Sequence, residues 1–211
     1  FAIFIYFFKD LKKLVINTFS YVFSRKERYK KDFLLSTYIV IGTIPAAVIG
    51  ILFQDKIEAV LNNSNFVFLS LIFTGIVLLI TMKFNENNKE LNLKNTFIVG
   101  LFQSIALIPG VSRAGMTISS ALFQGIKREE AARFSFFLVI PAILGATVLK
   151  AGDLFSGEIA NNVLKEVSVG SFAAFLSSLL AIYLVFSLLR KNKFHYFGYY
   201  CIVVGIIGWL I

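Results

Sequence analysis

The feature that most constrains this chain is a long uncharged segment that contains a single arginine. Residues 95–126 carry no charged side chain except Arg113, and Pro109 and Gly110 stand just before it. A straight helix of that length would measure about 48 Å, against a bilayer hydrocarbon core of about 30 Å. The segment is therefore too long for one span and short for two. We predict a re-entrant helical hairpin, with one helix on each side of the Pro-Gly break and both ends on one side of the membrane.

The composition is typical of a polytopic membrane protein. Of the 211 residues, 57% are hydrophobic, and the mean hydropathy is +0.78. Residues 11–29 mix apolar and basic side chains, which suits a helix lying on the membrane surface. The predicted fold class is an all-α polytopic membrane protein. The uncharged runs that are long enough to cross a bilayer are residues 34–53, 66–82, 134–149, 167–189 and 194–211.

The basic residues predict the orientation of these spans. Only Lys56, Lys150 and Lys165 fall in loops on one side, whereas the loops on the other side carry most of the lysines and arginines. Because cytoplasmic loops are enriched in these residues, we predict a cytoplasmic base for the hairpin and an external C-terminus. Topology and attraction to anionic lipids explain the net charge of +9, so no nucleic acid partner is needed. The residues in the basic loops are Lys9, Lys12, Lys13, Arg25, Lys26, Arg28, Lys30, Lys31, Lys83, Lys89, Lys94, Lys127, Arg128, Arg133, Arg190, Lys191 and Lys193.

The order of the spans predicts an inverted-repeat topology. Spans or span remnants precede the loop at residues 83–94, and spans of the opposite orientation follow the hairpin. We predict a single transmembrane domain over residues 1–211, with its halves at 1–84 and 95–211. The apolar run 1–8 is too short to cross a membrane, so we expect the chain to be incomplete at its N-terminus, with a partner hairpin upstream.

The tripeptide Ile-Pro-Ala occurs twice, around Pro45 and around Pro141, in two of the predicted spans. These two spans are not symmetry mates in the predicted repeat. We therefore interpret the recurrence as a coincidence of helix packing.

Arg113 makes the tip of the hairpin a candidate anion site. An arginine in a transmembrane segment costs about 2.5 to 3.5 kcal/mol on insertion scales, so we expect it to face a polar cavity or a partner. Gly110 allows close backbone approach, Ser112 and Thr117 supply hydroxyl groups, and the next helix points its N-terminal amides into the same space. Together these groups favour a phosphate or diphosphate ligand. Gln103 could hydrogen-bond either the substrate or a neighbouring helix.

The residues around the tip resemble a known family. Residues 100–146 resemble the second signature region of the undecaprenyl-diphosphate phosphatase family, also called the bacitracin-resistance family, and read GLFQSIALIPGVSRAGMTISSALFQGIKREEAARFSFFLVIPAILGA. Residues 41–59 resemble the family's upstream span, so the similarity covers essentially the whole chain. The family pattern is Pro-Gly-x-Ser-Arg-Ser-x-x-Thr. Here it reads PGVSRAGMT, with Ala114 in place of the second serine.

The resemblance implies an integral membrane phosphatase that hydrolyses the polyprenyl carrier lipid undecaprenyl diphosphate to undecaprenyl phosphate. It places this multi-pass enzyme in the bacterial cytoplasmic (inner) membrane with an outward-facing active site, where carrier recycling serves peptidoglycan synthesis and bacitracin resistance. By the same resemblance, Arg113 and Ser112 are the predicted catalytic residues. Arg113 would neutralise the diphosphate, and Ser112 and Thr117 would bind phosphoryl oxygens. Gly110 would open the turn.

The resemblance also places the other half of the site in a first motif that lies upstream of this chain. All 12 aspartates and glutamates of the chain fall in loops or at predicted span ends. A carboxylate cage for a metal cannot be assembled from them, so we predict no metal ligand in this chain. A Mg or Ca cofactor stays open, with its ligands outside the chain. We expect the isolated 211-residue piece to be inactive.

Alternatives to a phosphatase stay open at this point. Broken helices, an inverted repeat and an anion site near the midplane are also a transporter design, so a lipid-phosphate flippase would use the same arginine. Ala114 leaves open a non-catalytic paralogue. The predicted partners are the polyprenyl diphosphate lipid and the bilayer, and a homo-oligomer is an open assembly.

Overall fold

The computed structural model describes residues 2–53, 57, 64–84, 87–155 and 161–210. Over these residues the chain is helical, and no β-strand occurs among them apart from an isolated bridge between Lys89 and Ile126. The predicted all-α class is confirmed. The α-helices are α1 (Ala2–Tyr6), α2 (Phe8–Ser24), α3 (Lys30–Leu52), α4 (Ser64–Ile80), α5 (Leu93–Ile105), α6 (Arg113–Phe123), α7 (Arg128–Phe155), α8 (Asn161–Arg190) and α9 (Tyr196–Leu210).

Several helices are long and apolar enough to cross a membrane. They cover Glu27–Leu52, Ser64–Lys83 and Val167–Arg190, and the shorter Tyr196–Leu210 is also apolar. The chain is thus a multi-pass membrane protein. The inverted repeat, the re-entrant path and the single domain stay predictions. So does the orientation, for which Lys56 lies outside the described residues.

Contacts divide the chain into two compact units. One comprises Phe1–Ser36 and Val139–Val185, and the other comprises Thr37–Leu138 and Phe186–Ile211. The residues of the candidate site all belong to the second unit.

Within the first unit, α2 is joined to the start of α3 by polar contacts. The Asn17 amide donates to an Asp32 carboxylate oxygen at 2.5 Å, and the hydroxyl oxygens of Thr18 and Ser36 lie 2.7 Å apart. Most apolar side chains of α2 remain exposed, Phe23 to 85%. The helix at residues 11–29 is confirmed over most of that range, and its position on a membrane surface stays a prediction.

Within the second unit, glycines allow α4 and α9 to pack backbone against backbone. A Cβ atom added to Gly75 would lie 2.7 Å from the carbonyl oxygen of Gly198, and one added to Gly198 would lie 2.8 Å from that of Gly75. Further along the pair, a Cβ at Gly205 would lie 2.9 Å from the Phe68 carbonyl oxygen. Small residues are what lets helix backbones approach this closely in membranes. The helix that reaches the candidate site, α4, is therefore held firmly by α9.

This packing predicts that Gly198→Ala destabilises the protein. The added methyl group has no room beside the Gly75 carbonyl, so we expect the free energy of unfolding to fall by about 1–3 kcal/mol. Thermal unfolding of the complete protein in detergent measures the change.

Gly170→Ala in α8 is the matched control. A Cβ atom there would meet no described atom within 4 Å. Alanine is the better helix former by about 0.5–1 kcal/mol, so stability should hold or rise. Equal losses in the two variants would contradict the close packing of α4 and α9.

Candidate functional site

The uncharged segment folds as a helix, a break and a second helix, as the sequence predicts. The first helix, α5, begins with a capping box in which Asn92 and Asn95 each accept a backbone N–H of the other, at 3.0 and 2.8 Å. Residues 106–112 form the break. The second helix, α6, begins at Arg113, and the side chain of Ser112 caps it by accepting the Gly115 N–H at 3.1 Å.

Gly110 adopts a backbone conformation that requires glycine. Its φ of +88° lies in the left-handed region, where a Cβ atom is strained. A Cβ there would also overlap the carbonyl oxygen of Val67 and lie 2.9 Å from the Cβ of Ser70, both in α4. This geometry fits the predicted role of Gly110 in opening the turn, and it brings the break against α4.

Thr74 of α4 anchors the start of α6. The backbone N–H of Ser112 donates to the Thr74 hydroxyl oxygen at 3.1 Å, and that hydroxyl donates to the Ser70 carbonyl, also at 3.1 Å. Thr74 is fully buried. Sequence reasoning missed this residue, and the only signal for it was a pair of hydroxyl side chains one turn apart in an otherwise apolar helix.

Arg113 is held by neutral groups. Its Nε donates to the Gln103 side-chain oxygen at 3.2 Å, and its Nη2 donates to the Leu138 carbonyl oxygen at 3.2 Å. Over the described part of the chain, no carboxylate pairs with it and Nη1 donates to no acceptor. The side chain therefore keeps an uncompensated positive charge and one unused edge at a partly buried position.

Gln103 links this arginine to α3. Its side-chain nitrogen donates to the Gly42 carbonyl oxygen at 3.4 Å, while its oxygen accepts from Arg113. Only 1% of Gln103 is exposed. The sequence left open whether Gln103 bonds a neighbouring helix or the substrate. The bond to a neighbouring helix, α3, is present, and the contact with substrate stays a prediction.

The hydroxyl of Thr117 lies one turn into α6 and is engaged inside the protein. It donates to the Arg113 carbonyl oxygen at 2.8 Å and lies 2.6 Å from the hydroxyl oxygen of Ser135 in α7. The structure thus brings Gln103 and Arg113 together at the start of α6, next to Ser112. The Thr117 hydroxyl bonds Ser135 of α7, and its contact with phosphoryl oxygens stays a prediction.

The residues around Arg113 do not fit a divalent metal. The described residues contain no group of three His, Cys, Asp or Glu side chains that could hold one. Near the guanidinium the groups are hydroxyls, amides and carbonyls, and its positive charge opposes a second cation. Of the acidic residues, Asp55, Glu58, Glu86 and Glu158 lie outside the described residues. Our prediction of Mg or Ca bound by ligands outside the chain stays a prediction.

The geometry can bind an anion. Over the described residues, the first N–H groups of α6, those of Arg113 and Ala114, donate to no acceptor. Free amides at a helix N-terminus attract negative charge, and a guanidinium beside them adds charge-assisted hydrogen bonds. The fold and the site together define a multi-pass helical membrane protein with a candidate phosphate site at a broken helix.

Comparison with known proteins identifies the family. The family model described as bacitracin resistance protein BacA matches residues 1–207. The chain is 38% identical over 208 residues to undecaprenyl-diphosphatase 1 of Bacillus cereus, covering 98% of this chain and 77% of that protein. It is 42% identical over 172 residues to the undecaprenyl-diphosphatase of Korarchaeum cryptofilum, covering 82% and 64%. The chain belongs to the BacA family, and the resemblance noted in the sequence is confirmed.

The contact of Thr74 with the start of α6 predicts that Thr74→Val destabilises the protein. Valine has the same shape but offers no acceptor to the Ser112 N–H, so we expect the free energy of unfolding to fall by about 1 kcal/mol or more. The thermal unfolding midpoint in detergent measures the loss.

Thr81→Val provides the comparison. Thr81 is also buried, but its hydroxyl bonds the Leu78 carbonyl within its own helical turn. We expect a smaller loss there. A Thr74→Val midpoint equal to that of Thr81→Val would argue against the anchor.

Proposed function

We propose that this chain acts as an integral membrane phosphatase that hydrolyses undecaprenyl diphosphate to undecaprenyl phosphate. Relatives that carry the name undecaprenyl-diphosphatase align with 98% of the chain. The observation that carries the proposal is the partly buried guanidinium of Arg113, which has no carboxylate partner among the described residues and lies where α6 begins. A diphosphate is the kind of ligand that such a charge and the free amides beside it bind best.

The described residues contribute charge neutralisation and orientation to the reaction. In hydrolysis of a phosphoanhydride, a bond forms between water oxygen and phosphorus while the bond to the bridging oxygen breaks, and charge accumulates on the phosphoryl oxygens. Arg113 and the N–H groups at the start of α6 stabilise that charge. Ser112 can donate its hydroxyl proton to a phosphoryl oxygen, because its oxygen already accepts the Gly115 N–H. No step in this scheme passes through a metal.

The setting we infer is the bacterial cytoplasmic (inner) membrane, with the site open to the outer face. The distribution of lysines and arginines supports this orientation. There the reaction would return the carrier lipid for a further round of cell-wall synthesis. A homo-oligomer stays a prediction without support from the described contacts.

Arg113→Ala is the direct test of the site. We expect it to lower kcat/KM by about 10²–10³-fold or more, because it removes a charged donor from developing negative charge. Release of phosphate from undecaprenyl diphosphate by the complete protein in detergent measures the effect.

Arg190→Ala is the control for loss of a positive charge. Arg190 forms an exposed ion pair with Glu129 at 2.9 Å, and exposed pairs contribute little. Its hydrolysis should match that of the unsubstituted protein. Full hydrolysis by Arg113→Ala would remove the basis of the proposed site.

Ala114→Ser restores the hydroxyl that the family pattern has at this position. Ala114 lies in the first turn of α6 beside Arg113. A hydroxyl there can donate to a bound phosphoryl group, so we expect transition-state binding to improve by about 1 to 3 kcal/mol, measured as kcat/KM. The unfolding midpoint, which should change little, serves as the control. Unchanged kcat/KM would mean that the position lies outside contact with the substrate.

A further inference from the structure

Two helices contain an internal proline, Pro45 in α3 and Pro141 in α7. A proline lacks the N–H that would bond the carbonyl four residues earlier, and its ring pushes that turn open. The carbonyls of the opened turn can then accept hydrogen bonds from neighbouring helices. Gly42 and Leu138, both of the second unit, lie in the turns that precede these prolines, each three residues before its proline.

Both of these carbonyls accept a hydrogen bond from the Arg113–Gln103 pair. The Gln103 amide donates to the Gly42 carbonyl at 3.4 Å, and Nη2 of Arg113 donates to the Leu138 carbonyl at 3.2 Å. The two donors are joined to each other at 3.2 Å, from Nε of Arg113 to the Gln103 oxygen. A continuous chain of hydrogen bonds therefore runs from the turn before Pro45 to the turn before Pro141. The two Ile-Pro-Ala segments thus both lie beside carbonyls that this chain of hydrogen bonds uses, and their interpretation as a packing coincidence stays a prediction.

Glycine at position 100 lets α5 approach the turn of α3 that precedes Pro45. A Cβ atom on Gly100 would lie 2.6 Å from the Gly42 carbonyl oxygen and 3.0 Å from Cγ of Pro45. Gly100 and Gln103 are three residues apart and share one face of α5. The close approach therefore places the Gln103 amide beside the carbonyl that it bonds.

The hydrogen bonds that Arg113 makes inside the protein leave one edge of its guanidinium unused. Nε and Nη2 donate from one side of the planar group, and both have protein acceptors. The opposite edge, formed by Nη1 and the second proton of Nη2, is left for a ligand. Such an edge can bind two oxygens of one phosphoryl group, which gives orientation as well as attraction.

We propose that Gln103 is the positioning residue of Arg113. Together with the Gly42 and Leu138 carbonyls, it holds the guanidinium so that the edge formed by Nη1 and the second Nη2 proton faces the diphosphate. The inference rests on the proposed function. In this role Gln103 acts through Arg113. Its removal should therefore matter only where a guanidinium is present to be oriented.

A double-mutant cycle tests this dependence in the complete protein. Gln103→Met keeps the volume of the side chain and removes both hydrogen bonds. In the presence of Arg113 it should lower kcat/KM for undecaprenyl diphosphate by about 10²-fold, the effect of a small misplacement of a catalytic group. In the Arg113→Lys background, which has no planar edge to orient, Gln103→Met should change kcat/KM by less than about threefold. The same cycle can be measured without turnover as affinity for undecaprenyl phosphate.

Gln124→Met is the matched control. The Gln124 amide also joins the two helices, because it donates to the backbone carbonyl of Asn95 in α5 at 3.3 Å. It lies at the far end of α6, about 16 Å from Arg113. It should leave kcat/KM unchanged. Equal losses from Gln103→Met in both backgrounds, or no loss in either, would overturn the positioning role and leave the proposed function standing. Failure of the unsubstituted protein to hydrolyse the lipid would overturn the function, and the affinity cycle would still decide the role of Gln103.

Discussion

The structure around the site depends on one charged group, the guanidinium of Arg113, being held at a partly buried position. Isolated charge is expensive in such a place, so its N–H groups must be given acceptors. Two acceptors come from a side-chain amide and a backbone carbonyl, at 3.2 Å each. The carbonyl is that of Leu138, in the helical turn that precedes Pro141. Neutral acceptors on two neighbouring helices thus support the charge.

The surrounding helices convert this local support into a fixed position. Thr74 holds the first residue before α6, and Gly110 brings the break against the same helix, α4. That helix is in turn packed backbone to backbone on α9 through Gly75 and Gly198. Because protein interiors are closely packed, a displacement of α4 would be transmitted to the start of α6. Helix pairs that touch no ligand therefore contribute to the geometry of the site.

The sequence predicted the broken helix, the place of Arg113 near the start of its second half, and the all-α membrane class. These features could be predicted because each follows from local properties: one charge in an uncharged segment, a Pro-Gly pair, and the lengths of apolar runs. The role of Thr74 and the internal contact of Gln103 could not be predicted from the sequence. They depend on which helix lies beside which, and a hydroxyl or an amide in an apolar helix has the same local pattern whatever it contacts.

The chemistry of the groups that hold Arg113 explains how the charge can remain available. A carboxylate in the place of Gln103 would neutralise the guanidinium and compete directly with a phosphate for it. An amide oxygen and a carbonyl oxygen instead orient the group while leaving its full charge for a ligand. The amide has a second advantage, because its nitrogen can donate to the Gly42 carbonyl at the same time. Only a side chain with both a donor and an acceptor can bond the Gly42 carbonyl and Arg113 at the same time, which is why glutamine suits the position.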